Sequence, residues 1–484
     1  MLDPSGAVGP RASVGMHGAA GYAWPVRPAW ISSTIPSSCD LAIIGGGFVG
    51  LTAMVGVLGQ RPDARIVLLE RHPRRGPGVA YGGCEPHHLL NVPAGRMGAT
   101  PADPGAFHAW LEQREPGRWS ATDFAPRARY GEYLMELVDA ARSTNDATIA
   151  RESVVRLETT PRHVDLLLGS GDSLRASAVL LAPGLPQARP PWRGLDDDVP
   201  AGCLVGDPWA PGALDGIDPG DAVAVVGSGL TAIDIVSSLR RRGHHGSITM
   251  ISRSGRLPLP HARGAVQPAT YARDDLAKGA GAAMRAVRAA AHDLASRGLP
   301  WQGAIDGIRS QTAAAWGAWN ALERGRFVRH LRSLWEIHRH RAPSHLLDEL
   351  EAERRSGTLS IIRGQVHGLS HADGQLRVAV QSPSGVSSLA VARLINCAGP
   401  AQGIRQTIDP LLSSLLQSGV GSTDELGLGL RTDPHGRLVR QDGAPNERVW
   451  LVGALRKGDL WESTAVPELR QQVAQAVDSM APLL

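Results

Sequence analysis

The chain has 484 residues, 43% hydrophobic and 20% charged, with a formal net charge of +4. That length exceeds one compact core, so two domains are expected, and the composition excludes a disordered chain. No run approaches the roughly 18 apolar residues of a membrane-spanning helix, and so small a charge excess does not argue for nucleic acid.

Residues 1–38 are rich in Gly, Pro, Ser and Ala and lack the charged start and continuous apolar stretch of a signal peptide. They are expected to be a disordered extension of a cytoplasmic protein. Leu41-Ala42-Ile43-Ile44 then reads as a parallel strand buried on both faces. A glycine turn follows, with Gly45, Gly47 and Gly50 in G-x-G-x-x-G spacing, then a helix and the strand Arg65–Leu69, which ends at Glu70. In such a unit the first glycine permits the turn and the second admits a pyrophosphate. The third lets helix and strand pack closely, and the terminal acid accepts ribose hydroxyls. Strand, helix and acid together make this a dinucleotide site.

The arrangement recurs at 223–253. Val223–Val226 leads into Gly227, Gly229 and Ala232, and a helix is predicted to about Arg242 with Gly243 capping its C-terminus. The following strand, Ile248–Ile251, ends at Ser252-Arg253-Ser254, with no acid. An arginine there pairs with a 2′-phosphate, which favours NADPH over NADH. The plain alternative is a solvated loop residue. Two strand-like stretches, Val179–Gly184 and Leu394–Gly399, flank this second motif. They suggest an α/β fold of two Rossmann-like dinucleotide-binding domains, the second nested within the first. The expected parts are 39–215, 216–390 and 391–484.

Between 273 and 356 the pattern is helical. Trp301, Ile305, Ile308, Thr312, Trp316 and Trp319 recur at three- and four-residue steps, which predicts one amphipathic helix whose aromatic stripe packs on the neighbouring domain. His338-Arg339-His340-Arg341 is a basic cluster at a predicted helix end, suited to the helix dipole or, alternatively, to an anionic substrate or the NADPH phosphates. Asp234 and Glu468 fall in motif-bearing first turns, and a last helix over about 465–480 opens with Pro467. The four cysteines, Cys39, Cys84, Cys203 and Cys397, show no C-x-x-C spacing, and no Cys/His cluster resembles a zinc site, so no metal is expected. Cys84 reads as a small buried residue rather than a redox thiol. No hydrolase pattern stands out.

Two nucleotide sites imply relay chemistry, one dinucleotide resident and the other delivering hydride. Several further segments carry a resemblance: Gly78-Val79-Ala80-Tyr81-Gly82, His88–Ala94, Pro126-Arg127 with Tyr130-Gly131, Gly227–Asp234 and Trp461–Arg470. On these, residues 39–484 resemble the two-dinucleotide-binding flavoprotein superfamily. Within it they resemble bacterial FAD/NAD(P)-binding proteins related to flavin-dependent monooxygenases. The resemblance implies FAD on the first domain, held by Gly45, Gly47, Gly50 and Glu70, with Gly453 at the ribityl chain. It also implies that the helix opening near Val466 points at the isoalloxazine, with Asn91 and Met97 close to the ring. The nicotinamide belongs to Gly227, Gly229, Ala232 and Arg253. The expected function is an NAD(P)H-dependent FAD oxidoreductase, a monooxygenase using dioxygen to oxygenate a small amine or sulfur substrate through a flavin hydroperoxide. A flavin reductase with an external acceptor and a non-catalytic flavin sensor are the alternatives. Such chemistry asks mainly for positioning and water exclusion, so no acid–base residue is required. The departures are Ala182-Pro183-Gly184 in the return strand and Trp192-Arg193-Gly194, which echoes a monooxygenase fingerprint without its histidine.

Overall fold

The computed structural model describes residues 31–72, 77–186, 192, 199–399, 403–405 and 407–484. Its first sheet runs in the order Ile31–Ser32, Ala147–Ala150, Ile66–Leu69, Ser38–Ile44, Ser173–Leu181, Pro445–Leu451 and Arg437–Val439. All neighbours are parallel except the last pair, and a hairpin, Val154–Thr159 with Val164–Leu168, adds antiparallel to Ser173–Leu181. The central strands are apolar throughout because both faces are covered. Side chains of helices Phe48–Gln60, Arg127–Arg142 and Val466–Met480 fill one side, and the hairpin with helix Pro410–Gln417 fills the other.

The second sheet is wholly parallel, in the order Leu359–Arg363, Ile248–Ser252, Val223–Val226, Arg393–Asn396 and Leu204–Val205. Helices Leu230–Arg241 and Ser344–Ser356 cover one face. An antiparallel meander of Gln365–Ala372, Gln375–Ser382 and Gly385–Val391 covers the other. Gly243, at φ +89°, ends the first of these helices as expected. Its N–H donates to Arg240 O and the N–H of His244 to Leu239 O, the paired bonds of a left-handed glycine cap.

The nested plan holds, but its boundaries move. Ile31–Ser32 pairs with Ile149–Ala150, so residues 31–38 join the sheet rather than a disordered extension; residues 1–30 lie outside the described residues. Leu204–Val205 and Arg393–Asn396 belong to the second sheet, so the inner domain begins before 216 and continues past 390. The apolar pair Leu394-Ile395 suits either sheet, and only its partner Val223–Val226 decides the matter.

The helical stretch spans the expected residues, from Arg273–Ala277 to Ser344–Ser356. The single striped helix is instead two, Gln302–Ile308 and Thr312–Ala318, joined by a 3₁₀ turn, Arg309–Gln311, and Trp301 precedes the first. Two of its aromatic residues, Trp316 and Trp319, do pack as core, whereas Trp301 is half-buried. Trp316 and Phe327 lie against Trp461 with ring centres 4.8 and 4.9 Å apart, and Trp316 Nε1 donates to Gly458 O at 2.7 Å. That contact joins the helical insertion to the segment that enters the last helix, Val466–Met480.

Candidate functional site

The two glycine turns are built alike. Gly45 and Gly227 both hold left-handed backbone, φ +109° and +120°. A Cβ on either would lie 2.2 Å from Ala182 O or 2.3 Å from Cys397 O, the carbonyls just past the neighbouring strands. Only glycine fits such a position. Gly50 needs its missing side chain equally, since a Cβ there would sit 1.9 Å from Gly45 O. Ala232, in the corresponding place of the second turn, is fully buried. Helices Phe48–Gln60 and Leu230–Arg241 start after Gly47 and Gly229, and neither start carries a side-chain cap. Their first N–H groups and positive dipole ends suit a phosphate.

Around the first turn the predicted residues converge. Glu70 Oε2 accepts from Gly46 N–H and Oε1 from His72 N–H, both at 2.6 Å, which fixes the carboxylate beside the loop. Gly78, at φ +87°, lies so close that a Cβ there would be 2.9 Å from Gly47 Cα. Gly453, at φ +105°, faces Val49, and its N–H donates to Gln472 Oε1 at 3.2 Å. Val466 and Met97 are buried in the same apolar cluster as Val49 and Val452. Asn91 O receives His261 Nε2 at 3.1 Å, which ties this loop to the inner domain. The helix Val466–Met480 starts without a side-chain cap. Just before it, Trp461 holds φ +62°, a strained conformation for a bulky residue, clamped by the aromatic cluster. Glycine cradle, uncapped helix start and fixed carboxylate fit a dinucleotide. At the second turn Ser228 Oγ donates to Arg256 O at 2.7 Å, and Arg253 is exposed just past the strand.

Other candidates resolve differently. Asp234 is the fifth residue of its helix, and its Oδ2 lies 2.9 Å from Arg127 Nη2, a buried ion pair between the two domains. Burial raises this carboxyl to about 6 despite the arginine. Beside it, the N–H of Glu85 donates to His88 Nδ1 at 3.2 Å, which leaves the imidazole proton on Nε2, 2.8 Å from Ser238 Oγ. Burial and the neighbouring His87 and Arg127 hold His88 down to about 3, so it is neutral. Glu85, His87 and His88 bring ligand-type atoms within 4.8 Å of one another. Both histidines are nonetheless spent on Ser238, His87 at 3.1 Å. Sequence spacing had shown no such trio. Cys84 is buried, its thiol donates to Ala80 O and is pushed up to about 11, which makes it inert.

In the basic cluster His338 Nδ1 meets its own helix at Leu334 O, whereas Arg339 lies 3.3 Å from Glu462 and 3.2 Å from Glu468. Arg341 pairs with Asp306. Glu468 is thus part of an ion network that also takes Arg309, 2.7 Å from its Oε2. No role was expected for Arg309, Arg470 or Arg96, and the only sequence signals were that Arg96 adjoins Met97 and that Arg470 ends the Trp461–Arg470 segment.

Residues 42–186 match the family model described as FAD-NAD(P)-binding. No curated protein matches the sequence. Among solved structures, the chain is similar to an ornithine N-hydroxylase from Kutzneria sp. 744, with 16% identity, TM-score 0.62, and 92% and 99% of the two chains covered. An L-lysine 6-monooxygenase from Pseudomonas syringae gives 16%, 0.62, 92% and 100%. A cadaverine monooxygenase of desferrioxamine biosynthesis from Erwinia amylovora gives 12%, 0.62, 92% and 95%. At these identities the likeness establishes the fold alone, two nested Rossmann-like domains over nearly the whole chain. Among the described residues no helix is long and apolar enough to cross a membrane.

Proposed function

We propose that the chain is an FAD-dependent, NADPH-using monooxygenase acting on a small nucleophilic amine. The observation that carries this reading is the pair of glycine turns with matching geometry on two nested sheets. A dehydrogenase needs one such turn, and a second has a use when one dinucleotide reduces another. Support for the amine comes from the three similar structures, each named for an enzyme that oxygenates an amine substrate.

In this reading Gly45, Gly47 and Gly50 admit the FAD pyrophosphate to the start of helix Phe48–Gln60, and Glu70 takes the ribose hydroxyls with the lone pairs its two N–H bonds leave free. Gly453 would admit the ribityl chain, Asn91 and Met97 would border the ring, and the uncapped helix start at Val466 would offer its partial positive charge to an anionic reduced flavin. Gly227, Gly229 and Ala232 take the nicotinamide coenzyme, and Arg253 pairs with its 2′-phosphate. Flavin, when bound, would supply redox chemistry in which two electrons from NADPH reduce dioxygen, one oxygen atom going to the amine and the other leaving as water. The chain orients the partners and keeps water out, the Trp316–Phe327–Trp461 cluster sealing the insertion onto the helix entry.

The test is to purify the yellow protein, reduce it anaerobically with NADPH, then add isotope-labelled dioxygen with a panel of primary amines. Labelled hydroxylamine is the expected product. Reduction by NADPH with no label in any amine, together with fast electron transfer to a quinone, refutes the monooxygenase in favour of a reductase.

A further inference from the structure

Five arginines gather where the helical insertion meets the last helix. Three of them are matched by carboxylates: Arg309 by Glu468, Arg339 by Glu462 and Glu468, Arg341 by Asp306. The other two, Arg470 and Arg96, feel those same carboxylates only at longer range and form no ion pair among the described residues. Arg470 is 8% exposed and gives its Nη1 to two neutral carbonyls, Arg96 O and Gly98 O, each at 3.1 Å. It pins the Ala94–Arg96 turn through neutral partners and forms no ion pair of its own. Arg96 is exposed and makes no side-chain hydrogen bond or ion pair among the described residues. Desolvation of its guanidinium and the charges of Arg309 and Arg339 lower its affinity for the proton, and the carboxylates of Asp306 and Glu468, which raise it, do not make up the difference. An arginine nevertheless stays charged in a protein. The Nε atoms of Arg339, Arg341 and Arg470 are buried without a partner. Surplus cations packed together, with donors unmet, cost stability in the absence of a ligand.

We propose that Arg96 is the anchor for a carboxylate on the amine substrate, with Arg470 as the positioning residue that holds its turn; this rests on the monooxygenase reading above. The turn directly precedes Met97, and Arg470 lies one helical turn into Val466–Met480, so the anchor borders the flavin side of the site rather than the Gly227–Gly229 loop. A guanidinium offers a carboxylate two parallel N–H···O bonds. The same surplus of positive charge disfavours an ammonium nearby, so it promotes the neutral amine, the nucleophilic form that oxygen transfer needs. A diamine with no acid gains nothing here and brings further repulsion.

The test uses the FAD-loaded protein and amine pairs that differ by one carboxylate: L-lysine and cadaverine, L-ornithine and putrescine, 6-aminohexanoate and pentylamine. Calorimetry at low salt gives each Kd without requiring turnover. The expected result is that the acid binds at least about tenfold tighter than its partner in at least one pair, and that Arg96→Gln removes the preference. Arg96 is exposed, so the variant should fold, as its melting curve will show. Equal affinity within every pair, no binding by any acid, or a preference that survives Arg96→Gln overturns the proposal. So does an Arg96→Gln protein whose defect is a raised Kd for NADPH, since the anion would then be the coenzyme's phosphate. Carboxylate preference without labelled product would sink the monooxygenase reading and leave the anion site standing.

Discussion

The ion pair between Arg127 and Asp234 joins the domains through groups whose side chains are 15% and 6% exposed. Burial and pairing pull the aspartate in opposite directions, and burial prevails: its carboxyl is raised from 3.8 to about 6. A raised value means that the folded state holds the proton more tightly than the unfolded chain. The stabilisation is therefore complete below pH 4 and disappears as pH rises through about 6, a swing of about 3 kcal/mol at 1.36 kcal/mol per unit. Asp234→Asn keeps an oxygen for Arg127 and does not titrate. The stability of the parent minus that of Asp234→Asn should fall by about 2.5 kcal/mol between pH 4 and 7, most of the full swing. Taking the difference cancels carboxylates such as Asp40 and Asp165, which are lowered by their arginine partners and act with the opposite sign.

Removing the cation is worse. Arg127 Nε also donates to Leu89 O at 2.9 Å, and Arg127→Met strands a carboxylate that is almost fully buried. The expected loss at neutral pH is about 3–5 kcal/mol, smaller near pH 4 where the acid is protonated. For units of this size that is a fall of roughly 10 °C in Tm. The double variant Arg127→Met/Asp234→Leu should melt above Arg127→Met alone, because it leaves no stranded charge. Thermal melts of the FAD-loaded protein across pH, followed by tryptophan and flavin fluorescence, measure all four proteins. A flat or rising difference between parent and Asp234→Asn would show that Arg127 outweighs burial and that the argument has the wrong sign.

Three further outcomes follow from the site. Gly50→Ala forces a Cβ to within 1.9 Å of Gly45 O and should cost at least about 1–3 kcal/mol and yield colourless protein, whereas Gly229→Ala meets nothing within 4 Å, should melt like the parent, and should raise only the nicotinamide KM. Equal behaviour of the two in melting and flavin content would contradict the cradle geometry. Arg253→Glu should raise the KM for NADPH by about tenfold or more and spare NADH, as stopped-flow flavin reduction will report; parallel losses would remove Arg253 from the 2′-phosphate. Trp316→Ala, which empties a position only 2% exposed and deletes the bond to Gly458, should cost about 3–5 kcal/mol, measured by denaturant melts.

What the sequence discloses and what it conceals divide along a physical line. Gly45 and Gly227 were legible because a backbone that collides with Ala182 O or Cys397 O admits one residue type, so the constraint is written at the position itself. Glu70 was legible for a related reason, since its distance along the chain from the glycine turn is set by one helix and one strand. The domain boundaries were not, because the Leu394-Ile395 pair would suit a buried strand of either sheet and its allegiance lies in hydrogen bonds to residues about 170 positions away. Arg127 and Asp234 each stood in a quoted segment, yet nothing in either spacing joins them. Arg96 is the extreme case. Its meaning comes from Arg309 and Arg339, brought to it by an insertion, and from Arg470 on the last helix. A net charge of +4 spread over the whole chain says nothing of a local excess of two cations against one face. Local steric demands leave a mark on residue choice, whereas an unbalanced charge exists only after folding has set its neighbours around it.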